Sequence, residues 1–430
     1  MLLTHHRFAL LIALTISAAS LQPAYARGDI ASTPSVFDPL PAFNDAGFYT
    51  PVEQAPSIDG YLTRQATTHN GLQVAKVLEP ALSRLLASGE LSRAQVNALQ
   101  RFGEDVAGQP GGTGAALEQL AGSQNANLAG ATQAVTGQIS SQLLSTLRTL
   151  PTDGDGHFWV QGLGNDGKLD KRGGSDGLKH DTKGLMLGAD WAVADAWRVG
   201  VMGAKSSSEL SAQHFRGELD SLHLGGYAVR QDGPLALRLG AIYSDHTGKN
   251  KRSVNLLSYK EQIRGDYSAQ SQTVFSELGY QLGSADLHVE PFAGIGYQRY
   301  HRNSFKEKAG LSALNVGSQT QQNLSSTLGL RLATVYRFDN RMSLTPHVSA
   351  GWKRLYGEVG SQVRQSYRYA PGLIDGFNIT GTSLDRNSLD VQAGLDLALS
   401  SQHSVGLAYN AQTGSRSQSQ GLMGQWKMSF

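Results

Sequence analysis

The feature that most constrains this chain is a strand-like alternation of apolar and polar residues that repeats from residue 156 to residue 430. In the last repeat, Leu422, Trp426 and Phe430 share one parity, whereas Lys427 falls on the other. Because successive side chains of a strand point to opposite faces, each repeat has one apolar face and one mostly polar face. A soluble β-sandwich alternates in the same way, since one face of each sheet packs on a core. The connections between the strands must therefore distinguish a sandwich from a barrel.

The connections between the repeats alternate in length. The pattern predicts twelve strands, near residues 157–164, 183–193, 197–206, 219–231, 234–245, 267–282, 285–300, 322–338, 341–355, 387–400, 402–412 and 418–430. The long connections run near residues 164–183, 206–219, 245–267, 300–322 and 355–387. The short ones contain turn residues, as in Asp232-Gly233-Pro234 and Asp339-Asn340. This rhythm is typical of outer-membrane β-barrels, whose short turns face the periplasm. It predicts a mainly β fold with a twelve-stranded antiparallel transmembrane β-barrel over residues 151–430.

Charged residues recur on the parity that such a barrel turns inward. They are Asp190, Arg238, Glu277, Glu290, Arg331, His347, Lys353, Asp396 and Lys427. Charges at this regularity would be costly in a dry core, so they indicate a water-filled lumen. Of these, we expect Glu277, Glu290, Arg331, Asp396 and Lys427 to line it. Aromatic residues near the strand ends, such as Trp191, Tyr243 and Trp352, predict the girdles that mark the two membrane interfaces.

Composition excludes several other classes of protein. No apolar run after the N-terminus approaches the ~20 residues of a spanning helix, so a membrane must be crossed by a closed barrel. The chain has no cysteine, which rules out disulfides and thiolate metal sites. The formal charge of +2 gives no indication of a nucleic-acid partner. We find no histidine pair at metal-ligand spacing, no phosphate loop and no nucleophile elbow, and we expect no cofactor, no metal and no enzyme activity.

The first 26 residues predict a secretory signal peptide. His5, His6 and Arg7 form a polar, basic start, and an apolar stretch too short to span a membrane follows. Ala24-Tyr25-Ala26 provides the small residues of a cleavage site, so cleavage after Ala26 is expected. A buried N-terminal helix is the alternative.

Two short regions follow the signal peptide. Residues 27–70 are rich in proline and predict an extended passenger remnant. Its Val36-Phe37-Asp38-Pro39 resembles the first block of lipase-like serine hydrolases, but the Gly-Asp-Ser nucleophile motif of that block is missing. Residues 71–113 predict a helical hairpin, because apolar residues recur there at helical spacing and Ser92 with Gln95 forms a capping box.

Residues 114–150 predict an unusual helix. Its apolar stripe is sparse, and no charged residue lies between Glu118 and Arg148. A helix exposed to water normally carries charged pairs, so this slim, uncharged and polar helix suits a wet, narrow channel. From Leu128 to Leu150 it would span roughly 33 Å, about the thickness of a bilayer. An ordinary linker helix is the alternative.

Two groups of polar residues have open interpretations. Asn125 and Asn127, near the start of this helix, are possible sites of passenger scission by asparagine cyclisation, or ordinary turn and cap residues. A basic cluster in one predicted long loop is either a lipopolysaccharide phosphate site or a solvated loop. It consists of Lys249, Lys251, Arg252, Lys260 and Arg264.

Over roughly residues 71–430 the chain resembles the autotransporters, the type V secretion proteins. The resemblance is carried by Leu117-Glu118-Gln119-Leu120-Ala121-Gly122 opening a slim helix, by Phe158-Trp159-Val160-Gln161-Gly162, and by a barrel that ends in Trp-x-x-x-Phe. It implies an N-terminal α-helical linker through the lumen and a barrel that supports export of the chain's own passenger to the cell surface. The passenger, at about forty residues, is unusually short, so a helix-plugged channel or structural barrel that has lost its passenger is the alternative.

The resemblance also implies partners. Trp426, Met428 and Phe430 would form an assembly signal that the barrel-assembly machinery reads. Outer-membrane lipid and lipopolysaccharide would surround the barrel, which we expect to be a monomer.

Overall fold

The computed structural model describes residues 42–43, 49–50, 60–88, 91–94, 97, 108, 110–150, 154–171, 175–256, 259–284, 286–339 and 342–430. Its centre is a closed barrel of twelve antiparallel strands, each paired with its neighbours in sequence. They are β1 Gly156–Leu169, β2 Leu178–Ala194, β3 Trp197–Ala212, β4 Phe215–Asp232, β5 Leu235–Leu256, β6 Tyr259–Tyr280, β7 Leu287–Arg302, β8 Gln319–Thr334, β9 Ser343–Gly357, β10 Asn387–Ala398, β11 His403–Gly414 and β12 Ser417–Ser429. The short strand Leu282–Gly283 adds to β7, and Tyr336–Arg337 adds to β9.

The barrel closes between its last and first strands. β12 pairs with β1 over its whole length, from Ser417 opposite Leu169 to Ser429 opposite His157. This pairing leaves the main sheet no free edge, which matters because an unpaired backbone group in lipid costs several kcal/mol. The predicted fold class and the position of every predicted strand are confirmed.

The wall shows the expected division of faces. Outward side chains such as Leu187, Leu224 and Ile295 are apolar and exposed, as a lipid-facing surface requires. Inward, Trp159 is fully buried against Gly188, where an added Cβ would lie 2.3 Å from the indole Cζ2. Glycine is therefore needed at that position of β2 because the aromatic ring of β1 occupies the space.

The two ends of the barrel differ, and one prediction about them was wrong. At the end that carries both barrel termini, which we call the periplasmic end, the connections are short. At the opposite, outer end, the predicted long loops at 206–219 and 245–267 are continuations of the strands, and β3 and β4 meet at the two-residue turn Gln213-His214. Beyond the membrane the outward residues are charged, as at Lys249 and Lys251, so the apolar alternation that marks a strand is lost there although the ladder continues.

Within the described residues, four helices precede the barrel in sequence. They are α1 Tyr61–Gln65, α2 His69–Ala87, α3 Gly112–Ala121 and α4 Gln124–Arg148. Thr68 caps α2 by accepting a hydrogen bond from the Gly71 N–H. The helix predicted over residues 114–150 is two helices, because Gly122 adopts a left-handed conformation with φ of 57° and ends α3. The predicted second helix of the hairpin, from Ser92 to Phe102, lies largely outside the described residues.

A folded cap covers the outer end. It consists of α1, α2, α3 and a four-stranded sheet formed by Phe305–Lys306, Leu314–Val316, Gln362–Tyr367 and Phe377–Thr380. Leu78, Leu117 and Leu120 of the helices are at most 1% exposed and share one apolar core with this sheet and with the outer ends of the strands. A small ladder also pairs Ala42–Phe43 with Tyr49–Thr50. None of the described helices is long and apolar enough to cross a membrane.

Candidate functional site

The lumen of the barrel is occupied by α4. At the outer end, the Asn127 Oδ1 accepts a hydrogen bond of 2.7 Å from the Thr382 N–H. In its last turn, Thr146 Oγ1 donates to Gln161 Oε1 of β1 at 2.8 Å. At the periplasmic end, Lys427 Nζ of β12 donates to the Thr149 carbonyl at 2.9 Å. The helix therefore runs from the outer end to the periplasmic end, inside the wall.

The two sides of α4 meet different surroundings. Its sparse apolar stripe, Ile139, Leu143 and Leu147, is buried against Trp159 and Met186 of the wall. The opposite side borders a polar cavity of about 200 Å³. Among the residues that line this cavity are Ser140, Ser141, Thr273, Ser349, Asp390 and Asn410. A slim helix thus packs on one half of the lumen and leaves a polar space along the other half.

The C-terminal end of α4 is tied to the wall by paired charges. Arg148 Nε donates to Glu277 Oε1 of β6 at 2.9 Å. Arg238 Nη1 bridges Glu277 and Glu290 at 3.1 and 2.7 Å, and Arg331 Nη1 donates to Glu290 Oε2 at 2.8 Å. All five side chains are largely buried. Removing one member of such a network costs about 3–5 kcal/mol because its partner is left as an uncompensated buried charge.

The structure divides the predicted lumen residues into two groups. Glu277, Glu290 and Arg331 meet in this charge network, at the end of α4. Asp396 and Lys427 also point inward but lie elsewhere: Asp396 accepts from Gln425 Nε2 at 2.8 Å, and Lys427 contacts the residue after the helix. In the sequence, Arg148 stands out only as the end of an uncharged run, and its pairing with Glu277 was not predicted.

A second buried group ties the first strands together. The Asp190 carboxylate accepts from Arg198 Nε at 2.8 Å and from the Tyr227 hydroxyl at 3.0 Å, and its Oδ1 lies 2.9 Å from His157 Nδ1. These residues belong to β1, β2, β3 and β4, so one carboxylate joins four consecutive strands. Inward parity predicted Asp190, but not its partners.

The two asparagines at the outer end are buried and fully engaged. Asn125 is 1% exposed, and its Nδ2 donates to Gln365 Oε1 at 2.8 Å and to Glu307 Oε1 at 3.1 Å. Asn127 is completely buried and accepts from Thr382 as described above. Both lie in the first turn of α4 rather than in a connecting turn.

The predicted basic loop cluster is not one surface. The residues lie on the paired strands β5 and β6, and Lys249, Lys251 and Arg264 point outward. Arg252 instead points inward, where its guanidinium is buried against the Glu307 carboxylate at 2.8 Å. Parity explains the difference, because neighbouring residues of one strand face opposite sides.

The chain terminus lies at the seam. The outward Trp426 and Phe430 are 37% and 55% exposed, whereas Met428 is partly buried. The Phe430 N–H donates to the Gly156 carbonyl at 2.9 Å, and the Gly156 N–H donates to the Phe430 carbonyl at 3.0 Å. The terminal residue therefore completes the ladder that joins β12 to β1.

Two further sets of predictions concern residues that the structure describes little or not at all. The signal peptide with its cleavage after Ala26 lies outside the described residues, as does most of the passenger remnant. Within the described part of the chain, no group of three or more histidine, aspartate or glutamate side chains is arranged to hold a metal ion.

Comparison with known proteins supplies independent evidence. A family model described as the autotransporter β-domain matches residues 158–410. Two extracellular serine proteases of Serratia marcescens are 28% and 29% identical over 265 residues, which is 61% of this chain and 25% of each relative. The chain thus covers about a quarter of the length of these relatives. The translocator domain of the autotransporter NalP from Neisseria meningitidis superposes with a TM-score of 0.58 at 15% identity, over 71% of this chain and 99% of that one, which shows a common fold.

Proposed function

This chain belongs to the autotransporter family, and we propose that its barrel exports the chain's own N-terminal segment to the cell surface. The β-barrel lies in the outer membrane, as the barrel of this family does. Three further statements are our proposals. The barrel exports the segment, the chain reaches the periplasm by its signal peptide, and the barrel has kept its export activity.

The observation that carries the proposal is the direction of α4. Its first turn lies at the outer end of the barrel, and its last turn lies at the periplasmic end, where β1 begins. The described helices α1, α2 and α3, which precede Gln124, therefore lie at the outer end. A chain that enters the periplasm by its signal peptide reaches that side only if its N-terminal part crosses the outer membrane. The lumen that now holds α4 is the route we propose.

We propose that the exported part is not an enzyme. Most of the described residues before α4 form the helices of the cap, and these helices pack into an apolar core with the outer sheet. The Serratia relatives are named as proteases, but this chain covers only 25% of their length, so the name describes those proteins.

The partners follow from the same proposal. Lipid and lipopolysaccharide surround the apolar outer wall, and the outward Lys249, Lys251 and Arg264 lie beyond the membrane, where lipopolysaccharide phosphates are found. Trp426, Met428 and Phe430 are read by the barrel-assembly machinery, and the barrel works as a monomer. The Nδ2 atom of an asparagine is the one that would attack in a cyclisation. In Asn125 and Asn127 this atom is held by hydrogen bonds to neighbouring side chains, so we propose that the exported segment stays uncleaved.

A second candidate function is a helix-plugged channel or structural barrel whose passenger was lost. The cavity of about 200 Å³ beside α4 favours it, because polar groups such as Ser141 and Asp390 line a space that water can fill. In that case the N-terminal segment need not be accessible at the cell surface.

An epitope tag inserted near Asp38 tests the proposal on whole cells. We expect protease added outside to remove this tag, while a matched tag in the periplasmic turn at Gly233 survives until the outer membrane is opened. Both tags surviving on intact cells would contradict export and support the second candidate. Loss of both tags on intact cells would show a leaky membrane, which the periplasmic tag is there to detect.

A further inference from the structure

The junction between α3 and α4, residues 119–127, is surrounded by the outer mouth of the barrel. By this we mean the outer ends of the strands, the connections between them and the outer sheet. Its polar side chains are buried, although they lie next to the cell exterior. Ser123, Gln124, Asn125 and Asn127 are 7%, 8%, 1% and 0% exposed. Polar groups buried to this degree must find partners, and here almost all of those partners belong to the barrel and its outer connections.

The end of α3 shows how closely the barrel contacts the junction. The last carbonyls of a helix have no partner within the helix and must be satisfied from outside. Here Arg252 Nη1 of β5 donates to the Gln119 carbonyl at 3.3 Å. Gln365 Nε2 of the outer sheet donates to the Ala121 carbonyl at 2.8 Å. The side chains that end α3 are therefore supplied by the wall and the outer sheet.

The start of α4 is held in the same way. Asn125 donates to Gln365 and Glu307, and it accepts a hydrogen bond of 3.0 Å from Asn250 Nδ2 of β5. Gln124 Nε2 donates to the Asp176 carbonyl in the β1–β2 connection at 2.8 Å. Three separate parts of the mouth thus contact the first turn of the helix.

Shape adds to these hydrogen bonds. A Cβ on Gly122 would lie 2.8 Å from Leu314 Cδ1 of the outer sheet, and its φ of 57° is one that other residues rarely adopt. A Cβ on Gly381, in the β9–β10 connection, would lie 3.1 Å from the Ala126 Cβ. The kink at Gly122 therefore fits the outer mouth only when this part of the chain, and not a neighbouring part, lies there.

The junction is also joined to the cap. Asn70 of α2 donates to Ser123 Oγ at 3.0 Å and exchanges two hydrogen bonds with the Thr380 backbone at 2.9 and 2.8 Å. Asn70 is completely buried. The cap, the junction and the outer sheet are thereby one continuous hydrogen-bonded unit.

We propose that the outer mouth is a binding site for this junction, which stops the chain at a fixed point of export and holds the cap on the cell surface. This inference rests on the proposed export of the N-terminal segment. Residues before the junction slide through the lumen until the kink at Gly122 and the polar side chains of the first turn of α4 reach their partners. The exported segment then remains as a lid on the barrel.

The test replaces both asparagines by an apolar residue of similar size, Asn125→Leu with Asn127→Leu, in the full chain. A matched control carries Gln138→Leu with Gln142→Leu on the same helix, where Gln142 has neither amide atom hydrogen-bonded within the described structure. A third variant, Gln365→Leu, removes from the side of the outer sheet the hydrogen bonds to Asn125 and to the Ala121 carbonyl. All carry the tag near Asp38, and heat-modifiable mobility on gels reports whether each barrel has folded.

The readout is the rate at which external trypsin cleaves the cap on intact cells, where Lys76 and Arg84 of α2 are exposed. We expect trypsin to cleave the cap at least tenfold faster in the asparagine variant and in Gln365→Leu than in the parent. The control variant should be cleaved at the parent's rate. The tag should be at the cell surface in every case. Cap cleavage as slow as in the parent overturns the proposal. If the asparagine variant does not fold, Gln365→Leu decides alone. A parent whose tag never reaches the surface refutes export itself, which is a different failure.

Discussion

At the scale of single residues, Glu118 of α3 is a carboxylate in an unfavourable place. Its Oε1 is buried without a hydrogen-bond partner among the described residues. Burial raises its pKa, and Asp176 raises it further, while Thr68 and Lys171 act in the opposite direction. The folded cap therefore holds a proton on Glu118 more tightly than the unfolded chain does. Its contribution to cap stability is largest below the ordinary glutamate pKa and is lost as the pH rises through the raised value.

We predict that Glu118→Gln protects the cap at neutral pH. The amide keeps the shape of the side chain and removes the charge that burial disfavours. Hydrogen exchange of the α3 amides, corrected for the intrinsic rate, should be severalfold slower than in the parent at pH 7 and similar at pH 5. Glu218→Gln, at an exposed position of β4, is the control and should change neither rate. Faster exchange in Glu118→Gln at pH 7 would show that the carboxylate is stabilising.

The sequence predicted which residues face inward better than it predicted which side chains they contact. Inward parity identified Glu277, Glu290 and Arg331, because alternation along a strand is local information. These side chains meet because of the way the strands are staggered around the barrel. The sequence of a single strand does not reveal that stagger. Arg252 is the clearest failure: it was placed in a loop, either solvated or binding lipopolysaccharide phosphate. Its strand instead continues beyond the membrane, and its inward parity buries it against Glu307.

At the scale of elements, the terminal strand depends on its last residue. Phe430 makes two backbone hydrogen bonds with Gly156, and its ring covers that glycine, where an added Cβ would lie 2.4 Å from the Phe430 Cε2. We predict that deleting Phe430 lowers the amount of folded barrel at least severalfold, since it removes both bonds and the aromatic anchor at the interface. Heat-modifiable mobility measures the folded fraction directly.

The neighbouring Ser429 provides the control for that deletion. Ser429→Ala keeps the backbone and the ladder to His157, so its folded fraction should match that of the parent. Equal yields from the deletion and from Ser429→Ala would contradict the assignment of Trp426, Met428 and Phe430 as the assembly signal.

Strands inside the membrane were predictable from sequence, and their continuations outside it were not. Lipid on one side and a lumen on the other impose an alternation that identified all twelve strands. Beyond the bilayer, the outward face of β5 and β6 is charged and the inward face mixes polar and apolar residues. The outer halves of these strands were therefore taken for a loop. The break at Gly122 was missed because a glycine between small residues is also tolerated inside a helix. The close approach of Leu314 to this glycine comes from a distant part of the chain.

At the scale of the whole molecule, the described N-terminal helices and the barrel form one folded unit. The core of the cap is shared between helices that precede the lumen and strands that follow it. The cap helices need a route to the outer end of the barrel, and the export proposed above supplies that route with the parts that are present.

Cysteine labelling of intact cells tests this central claim most directly. The chain has no cysteine, so Lys76→Cys on α2 and Asp339→Cys in the turn between β8 and β9 each create a single exposed thiol. With a maleimide that does not cross membranes, we expect Lys76→Cys to be labelled equally on intact and permeabilised cells, and Asp339→Cys only after permeabilisation. Labelling of Lys76→Cys only after permeabilisation would place the cap in the periplasm and contradict export through the barrel.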